Sequence, residues 1–299
     1  MRIVTHNVNG IRAALRRGFN DFWADAGADV IALQEVRCQV EDLPDGAFGT
    51  YHATWDAGQK AGRNGVAVLT RQAPVHIRAL DDVAHTVAPD GSPEQVPVTR
   101  IVNRDLAAFR DEGRYVEVDL AEAPLRVASL YLPKGAAWPY EENSKDKYDR
   151  KMRFLRGLAR QITASRRDAA QEGREFLIMG DFNIAHTKQD LKNWRSNQKS
   201  EGFLPEEREW LDGVISPRRM IDVVRSLHPD QDGPYSWWSW RGQAFTNDSG
   251  WRIDYHLASP NLARQATAAW SAREDSYDAR LSDHCPVIAE YELDGLSQT

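Results

Sequence analysis

The sequence has little of what marks secreted or membrane proteins. Its 299 residues include two cysteines, Cys38 and Cys285, too few for a disulfide framework or a thiolate metal site. No apolar run approaches the roughly 18 residues that a membrane-spanning helix needs. The chain passes from Met1-Arg2 directly into IVTHNVNG, without a basic segment and an apolar signal core. We therefore expect a soluble, cytoplasmic protein with no membrane partner.

Excess positive charge is also lacking. The formal net charge is −6, so the overall composition gives no support to a nucleic-acid partner. Any site for a polyanion must be local, made by clustered Lys and Arg or by a bound cation.

The length allows one large domain or two small ones. The clearest shift in composition is the acidic, Pro- and Gly-rich segment from Asp81 to Pro97. Strand-like runs lie on both sides of it, GVAVLT and PVHIRAL before and RYVEVDL and LRVASLYL after. We predict a long surface loop here, inside a single domain that covers residues 1–299.

Strand and helix patterns are interleaved along the chain. DVIAL and EFLIM are typical of strands buried on both faces, whereas RYVEVDL alternates like a half-exposed strand. Apolar spacings of three and four predict a helix from Ser144 to about Ala170, with Asn143 or Ser144 as its cap. Pro205 begins another helix, with acidic residues in its first turn. Strands outnumber helices, which favours an α/β fold of stacked sheets with helices outside.

Polar residues stand repeatedly at the ends of these predicted strands. GDFNIAH follows EFLIM, and its Asp181 and Asn183 are two residues apart, so that both side chains leave a strand in the same direction. Five other segments place similar groups at strand ends: Asn7 with Asn9, Glu35, Tyr131, Asp254, and Asp283 with His284. In layered sheet folds such ends can converge on one cleft.

This set of side chains predicts a hard metal ion. Carboxylate and amide oxygens suit Mg²⁺ or Mn²⁺. The eight histidines are scattered without a zinc-ligand spacing, so zinc is not expected. Mg²⁺ commonly serves phosphates, where it offsets the repulsion between a phosphodiester and an attacking hydroxide.

Each residue also has a purely structural interpretation. The Asp, Asn and Gly residues are common turn formers, Glu35 can be a solvated loop residue, and Ser-Asp-His can cap a helix. Tyr131 can be a core aromatic. Asp254 is harder to explain in this way, because a carboxylate within an apolar strand costs stability unless it is paired. His284 is its candidate partner.

Nine motifs follow one another from Asn7 to Pro286: NVNGIRA, LQE, EGR, YLPKG, GDFNIAH, DLKN…GF…EER, YSWW, GWRIDY and SDHCP. This ordered set resembles the exonuclease III family of apurinic/apyrimidinic endonucleases, within the endonuclease/exonuclease/phosphatase superfamily. The resemblance implies a four-layered α/β sandwich, two packed mixed β-sheets flanked by helices. It also implies Mg²⁺-dependent DNA incision 5′ to an abasic site, which members often combine with 3′→5′ exonuclease and 3′-phosphatase or phosphodiesterase activity. The implied substrate is double-stranded DNA with abasic sites or blocked 3′ ends. We expect the protein to be a monomer.

The resemblance assigns metal ligands by matching position. Glu35 is the principal metal ligand in this assignment. The other members of the predicted metal shell are Asn7, Asp181, Asn183, Asp283 and His284.

Catalytic roles follow in the same way. Asp181 orients and deprotonates the attacking water, or helps hold a metal at another stage. Asn183 hydrogen-bonds the scissile phosphate or the nucleophile, and Tyr131 donates to the phosphate. His284, oriented by Asp254, faces the charge that develops on the phosphorus oxygens, and a nearby carboxylate should raise its pKa.

DNA contacts are implied as well. The predicted DNA-contacting residues are Asn9, Arg12, Lys134, Asn193, Asn197, Trp237, Arg241 and Trp251. The two tryptophans would wall a pocket for a flipped-out, baseless sugar. Two groups of cations supply local positive charge: Lys145, Lys147, Arg150, Lys151 and Arg153 on the predicted helix, and Lys188, Lys192, Arg195 and Lys199 in TKQDLKNWRSNQKSEG. A solvated basic face explains the helical group equally well.

The sequence departs from its relatives at His6, where an aromatic residue is commoner, and at Ser200, where some members have a third amide.

Two other functions fit parts of the pattern. One is a superfamily phosphoesterase for a small phosphoester such as a phosphoinositide, against which the DLKN…GF segment and the tryptophan-rich strand argue. The other is an inactive DNA-binding module, against which the intact carboxylate set argues.

Overall fold

The computed structural model describes residues 1–293. This part of the chain contains fifteen strands and six α-helices. The strands are β1 (Arg2–Asn7), β2 (Val30–Gln34), β3 (His52–Asp56), β4 (Val66–Thr70), β5 (His76–Ala79), β6 (Val83–Val87), β7 (Pro93–Pro97), β8 (Thr99–Arg100), β9 (Tyr115–Asp119), β10 (Leu125–Tyr131), β11 (Glu175–Asp181), β12 (Ile221–Asp222), β13 (Asp254–Ala258), β14 (Ala266–Ser271) and β15 (Val287–Tyr291). The helices are α1 (Ile11–Arg16), α2 (Phe19–Ala26), α3 (Lys145–Gln171), α4 (Pro205–Val214), α5 (Val223–Leu227) and α6 (Pro260–Arg264). Within these residues, no helix combines the length and the apolar character needed to cross a membrane.

The strands form two mixed sheets. The first has eight strands in the order β14-β15-β1-β2-β4-β3-β6-β7, and the second has seven in the order β12-β13-β11-β10-β9-β5-β8. The pairs β1–β2 and β10–β11 are parallel, while their other neighbours are antiparallel.

The sheets pack face to face, and helices cover their outer faces. Ile3 and Val68 of the first sheet contact a core that includes Val127 and Leu177 of the second. The long helix α3 packs on the outside of the second sheet through residues such as Phe154, together with α4. The helices α1 and α2 cover the outside of the first sheet. The predicted four-layered α/β sandwich is confirmed.

The predicted helices agree closely with the observed ones, apart from a cap. The helix that begins at Pro205 is confirmed as α4, with acidic residues in its first turn. Helix α3 begins one residue later than predicted, and Ser144 precedes it. The predicted side-chain cap is wrong, because the Ser144 hydroxyl donates backwards to the Glu141 carbonyl at 2.8 Å instead of accepting from the helix.

Two predictions about strands were also wrong. The segment from Asp81 to Pro97 is not a loop but largely the hairpin β6–β7 at the edge of the first sheet. Its prolines are tolerated because an edge strand leaves one row of backbone groups unpaired. Strand β9 is buried on both faces instead of half-exposed, because α3 covers its polar side. There Glu117 accepts hydrogen bonds from the hydroxyls of Tyr115 and Ser165.

Candidate active site

The register of the second sheet brings three polar residues to one end. Tyr131 at the end of β10 pairs with Asp181 at the end of parallel β11, and Asp181 lies opposite Asp254, which begins antiparallel β13. In the first sheet, Asn7 ends β1 beside Gln34, the residue before Glu35. Because the carboxyl ends of neighbouring parallel strands lie at the same edge, strand pairing alone places each group of side chains together.

The turns that follow these strands have an unusual backbone. Four non-glycine residues have positive φ: Asn9 (47°), Glu35 (52°), Arg37 (51°) and Asn183 (49°). This left-handed conformation costs roughly 1–2 kcal/mol for a residue with a Cβ. Such outliers are found preferentially at functional sites, where the surrounding structure holds them in place.

Asn7 joins the two sheets across the site. Its Nδ2 donates to Oε1 of Glu35 and to Oδ2 of Asp181, each at 2.9 Å. Its Oδ1 accepts from the backbone N–H of Asn9 at 3.0 Å. The two carboxylates are thus held beside a single amide group, although they stand 146 positions apart in the chain.

Asp283 is fixed by the same kind of contact. Its Oδ1 accepts from Nδ2 of Asn9 at 2.7 Å, and its Oδ2 accepts from Nε1 of Trp237 at 3.1 Å. Burial alone would raise the pKa of Asp283, but the charge of His284 and these hydrogen bonds hold it below its usual value. Asp283 therefore remains a carboxylate.

The predicted pairing of Asp254 with His284 is confirmed. Nδ1 of His284 lies 2.8 Å from Oδ2 of Asp254, and its Nε2 lies 3.8 Å from Oδ2 of Asp181. Burial alone would lower the pKa of His284, but the charges of Asp254 and Asp181 outweigh it and raise the pKa to about 10. The imidazole is therefore protonated at neutral pH, with Nε2–H directed towards Asp181.

Asp181 and Tyr131 are also shifted from their ordinary behaviour. Burial, with added repulsion from Asp254 and Glu35, raises the pKa of Asp181 to about 7, against the opposing effect of His284. Burial next to the charges of Glu35 and Asp181 raises the pKa of Tyr131 well above its usual value. The carboxyl group can thus exchange a proton near neutral pH, while the phenol remains a hydrogen-bond donor.

The donor set fits a hard divalent cation. Four carboxylates, those of Glu35, Asp181, Asp254 and Asp283, converge on this region. Among the described residues, Oε2 of Glu35 accepts no hydrogen bond and is paired only with the Arg37 guanidinium. Asp181, Asp254 and His284 offer ligand atoms that lie within 4.8 Å of one another. The site can therefore hold a metal, and its carboxylate oxygens suit an oxygen-preferring ion better than a protonated imidazole does.

Comparison with known proteins agrees with this geometry. Residues 4–284 match the model of the Endonuclease/Exonuclease/phosphatase family. The chain belongs to this family. The resemblance predicted from the motifs is confirmed.

Relatives with curated names include two nucleases. The exodeoxyribonuclease of Bacillus subtilis (strain 168) is 29% identical over 291 residues, which cover 96% of this chain and 98% of that protein. The DNA-(apurinic or apyrimidinic site) endonuclease of Dictyostelium discoideum is 26% identical over 292 residues, covering 96% of this chain and 69% of that protein. Among solved structures, the 3′-5′ exonuclease NExo from Neisseria meningitidis matches with a TM-score of 0.76 and 23% identity, over 98% of this chain and 100% of that one. This last likeness supports the fold.

An open cleft of about 590 Å³ lies over the site in this member of the family. Its floor includes Glu35, Tyr131, Asp181, Asn183, Asp283 and His284. Five of the predicted DNA-contacting residues line its walls, namely Lys134, Asn193, Asn197, Trp237 and Trp251. The two tryptophan rings meet edge to face, with centroids 6.2 Å apart. Of the remaining three, Asn9 holds Asp283, whereas Arg12 and Arg241 are exposed and do not line the cleft.

The two groups of cations differ in the structure. On α3, Lys145 pairs with Asp149, Arg150 with Glu112, and Arg153 with Asp105. Lys151 is 1% exposed, so its assignment to a basic surface was wrong: its side chain points inwards. In the other group, Lys188 and Arg195 are exposed and lie over the ring of Trp194, at 4.4 Å and 4.5 Å from its centroid. Among residues 1–293, the second group therefore leaves more positive charge without an acidic partner than the helical group does.

Three contributors to the site were not predicted from the sequence. Arg37 pairs with Glu35, and a cation two residues after a candidate ligand is a signal that could have identified it. The Ser236 hydroxyl accepts the backbone N–H groups of Ile253 and Asp254, each at 3.1 Å, and fixes the start of β13. Lys151 contacts two active-site loops from below. The sequence carries no local signal for the serine or the lysine.

Proposed function

We propose that this chain is a magnesium-dependent DNA-repair phosphodiesterase that incises duplex DNA 5′ to abasic sites. Removal of blocked 3′ ends, through 3′→5′ exonuclease and 3′-phosphatase or phosphodiesterase activity, belongs to the same proposal. The observation that carries it is the joining of Glu35 and Asp181 by Asn7, next to the Asp254–His284 pair, on the floor of one cleft. Relatives named as an exodeoxyribonuclease and an abasic-site endonuclease support the substrate class.

Mg²⁺, with Mn²⁺ as a substitute, is the proposed ion. Glu35 would be its principal ligand, the shell beside it would include Asn7, Asn183 and Asp283, and Asp181 would help hold the ion at another stage than proton transfer. When bound, such an ion offsets phosphate charge and stabilises the charge that builds up in the transition state. Asn7 directs its NH₂ group at both carboxylates, which suits the orientation of ligands. His284 was predicted to be a metal ligand as well, but its raised pKa favours a role as a proton-bearing donor.

Asp181 is the proposed general base. Its carboxylate accepts a proton from the attacking water as the water oxygen forms a bond to phosphorus. The bond from phosphorus to the 3′ oxygen on the 5′ side of the lesion then breaks, and that oxygen takes up a proton to become a 3′-hydroxyl. A pKa of about 7 matches this task, because a base works best when its pKa is near the operating pH.

Three further side chains complete the proposal. Protonated His284, oriented by Asp254, and the phenol of Tyr131 would donate to the phosphate oxygens as negative charge develops. Asn183 would orient the phosphate or the water. Its backbone N–H donates to Oδ1 of Asp181 at 2.8 Å, and its Nδ2 donates to the Leu132 carbonyl at 2.9 Å. The side chain is therefore already fixed relative to the base.

DNA would lie across the mouth of the cleft. Lys134, Asn193 and Asn197 would contact phosphates near the lesion, and Trp237 and Trp251 would wall the space for a flipped-out, baseless sugar. The remaining predicted contacts, Asn9, Arg12 and Arg241, lie outside the cleft lining, and Arg12 and Arg241 would contact phosphates farther from the lesion.

We also propose that residues 1–299 form one domain that acts as a monomer, since every group in this mechanism comes from one chain. The last part of that range, 294–299, lies outside the described residues. Cys38 and Cys285 are buried free thiols, which suits a reducing, cytoplasmic setting.

The test is cleavage of a 5′-labelled duplex that carries one abasic analogue, resolved at single-nucleotide length. With Mg²⁺ we expect a first product that ends immediately 5′ to the analogue and carries a 3′-hydroxyl, which exonuclease activity would then shorten, and we expect EDTA to abolish both. Asp181→Asn should lower turnover by roughly 10²–10⁴, the usual contribution of a general base. Cleavage of an inositol polyphosphate but not of the duplex would contradict the proposal, and unchanged turnover in the variant would remove Asp181 from the mechanism.

A further inference from the structure

Lys151 is a charged residue in an enclosed position near the active site. It lies in the second turn of α3, and both it and its acidic partner Glu207 in α4 are almost completely buried, at 1% and 0% exposure. Burying an ammonium group is costly unless its hydrogens are paired. A lysine in this place therefore needs an explanation beyond the solvated helix face on which it was expected.

The Lys151 ammonium makes one ion pair and two hydrogen bonds. Nζ lies 2.6 Å from Oε1 of Glu207. It also donates to the backbone carbonyls of Lys134 and Asn183, each at 3.0 Å. One ammonium group thus ties the loop after β10 to the loop after β11.

The surroundings are shaped to admit this side chain. Gly135 follows Lys134 with φ +81°, and a Cβ at that position would lie 2.5 Å from Cδ of Lys151. Glu207 is held in turn, since its Oε2 accepts the backbone N–H of Leu204 at 3.0 Å. The loop, the helix α3 and the helix α4 therefore meet at a single amine.

We propose that Lys151 is a positioning residue for catalysis, which sets the Asn183 and Lys134 loops at the correct distance from Asp181. The assignment rests on the proposed phosphodiesterase function and deepens it. Lys151 touches neither the substrate nor Asp181; it acts through the carbonyls of the two loops. Small displacements of such loops are enough to slow a reaction that depends on orientation.

The experiment compares four variants with the wild-type chain on the abasic duplex. Lys151→Met removes the donors but leaves Glu207 buried without a partner, so the double variant K151M/E207Q removes the charge as well. Arg156→Met is the matched control, because it removes an exposed cation from the same helix. Lys151→Arg tests rescue. For each variant we would measure kcat, KM, chemical denaturation, and the slope of DNA affinity against salt concentration.

We expect K151M/E207Q to remain folded and to lose roughly 10- to 100-fold in kcat with little change in KM. Its salt slope should equal that of the wild type, because no phosphate contact is lost, whereas a lost contact would reduce the slope by about 0.9. Lys151→Arg should recover part of the rate. When K151M/E207Q is combined with Asn183→Ala, its further effect on kcat should be small, because Lys151 acts through the loop that carries Asn183.

Several results would overturn the assignment. A folded K151M/E207Q with wild-type kcat would show that the ion pair is merely structural, while the proposed function would stand. A reduced salt slope would instead make Lys151 a phosphate contact. A wild-type chain without activity on the duplex would remove the function and this assignment with it.

Discussion

The residues of the site are arranged so that neighbouring charges set one another's protonation. Asp254 lies against Nδ1 of His284, and Asp181 faces its other nitrogen, so the imidazole is stabilised as a cation. Burial, together with repulsion from Asp254 and Glu35, raises the pKa of Asp181 in spite of this cation. One side chain is thereby prepared to take a proton and its neighbour to keep one, which is the division of roles that acid–base catalysis requires.

Asp254→Asn tests this arrangement. Without the Asp254 charge the pKa of His284 should fall from its value of about 10, so the histidine loses its proton at lower pH. We expect activity on the alkaline side to decline at lower pH than in the wild type, and turnover near pH 8 to fall roughly 10²-fold. The check is a profile of kcat against pH. If the decline of kcat at alkaline pH coincides in the variant and the wild type, His284 is not the group whose loss of a proton causes that decline.

The sequence was enough to predict which polar residues belong to the site, but not which contacts surround them. Asp181, Asn183 and Glu35 could be predicted because polar groups at the ends of apolar strands are conspicuous. Arg37, Ser236 and Lys151 could not be assigned, since their roles depend on contacts with distant segments. In the sequence, Lys151 belongs to the same basic segment as exposed cations such as Lys147 and Arg150. Only the packing of α4 against α3 shows that Lys151 is buried.

Among the elements, the pair β10–β11 is the one that places the catalytic acid. Gly180 has φ +141°, and a Cβ there would lie 2.0 Å from the carbonyl oxygen of Leu130 on the neighbouring strand. No side chain fits in that gap. The glycine in GDFN therefore allows close approach of the two strands immediately before Asp181, which is why the run is more than a polar turn.

Gly180→Ala should push β11 away from β10. We expect a loss of about 1–3 kcal/mol in the free energy of unfolding, typical of overpacking, together with lower turnover because Asp181 moves with the strand. Denaturant unfolding and the abasic-duplex assay measure the two effects. Gly213→Ala is the control, since a Cβ there meets nothing within 4 Å. Equal stability of the two variants would refute the packing argument.

Element prediction succeeded where the pattern reports burial directly. DVIAL and EFLIM are strands β2 and β11, and the helix from Lys145 to Gln171 followed from its apolar stripe. The alternation of polar and apolar residues led to a wrong prediction of exposure for β9, because a helix can cover the polar face of a strand and supply hydrogen bonds to it. Composition misled for the hairpin β6–β7, because prolines and acids are also accepted at a sheet edge.

For the whole molecule, the important feature is how the two sheets are held in register beneath the site. Nε2 of Gln34 donates to the Ser129 hydroxyl at 3.0 Å, which in turn donates to the Leu33 carbonyl at 2.9 Å. Elsewhere in the interface, Nε2 of His256 on β13 lies 3.0 Å from the Val287 carbonyl on β15. Polar bridges of this kind couple the sheets that supply Glu35 and Asp181.

His256 gives this interface a dependence on pH. Burial lowers its pKa to about 4, against an ordinary value of 6.5. Between these values the unfolded chain binds a proton that the folded chain does not, so stability falls as pH decreases through this window. Relative to His256→Gln, the wild type should lose about 1.4 kcal/mol per pH unit between pH 6.5 and 4. Denaturant unfolding at several pH values measures this, and a constant difference between the two proteins would contradict it.

The central claim is that acids from distant parts of the chain form one divalent-metal site on the floor of the cleft. Calorimetric titration of Mn²⁺ into the wild-type chain and into Glu35→Gln tests it most directly. We predict saturable binding to the wild type and an affinity at least about 10-fold weaker in the variant, because a carboxylate ligand is lost. Equal binding by both proteins, or none by either, would contradict the account.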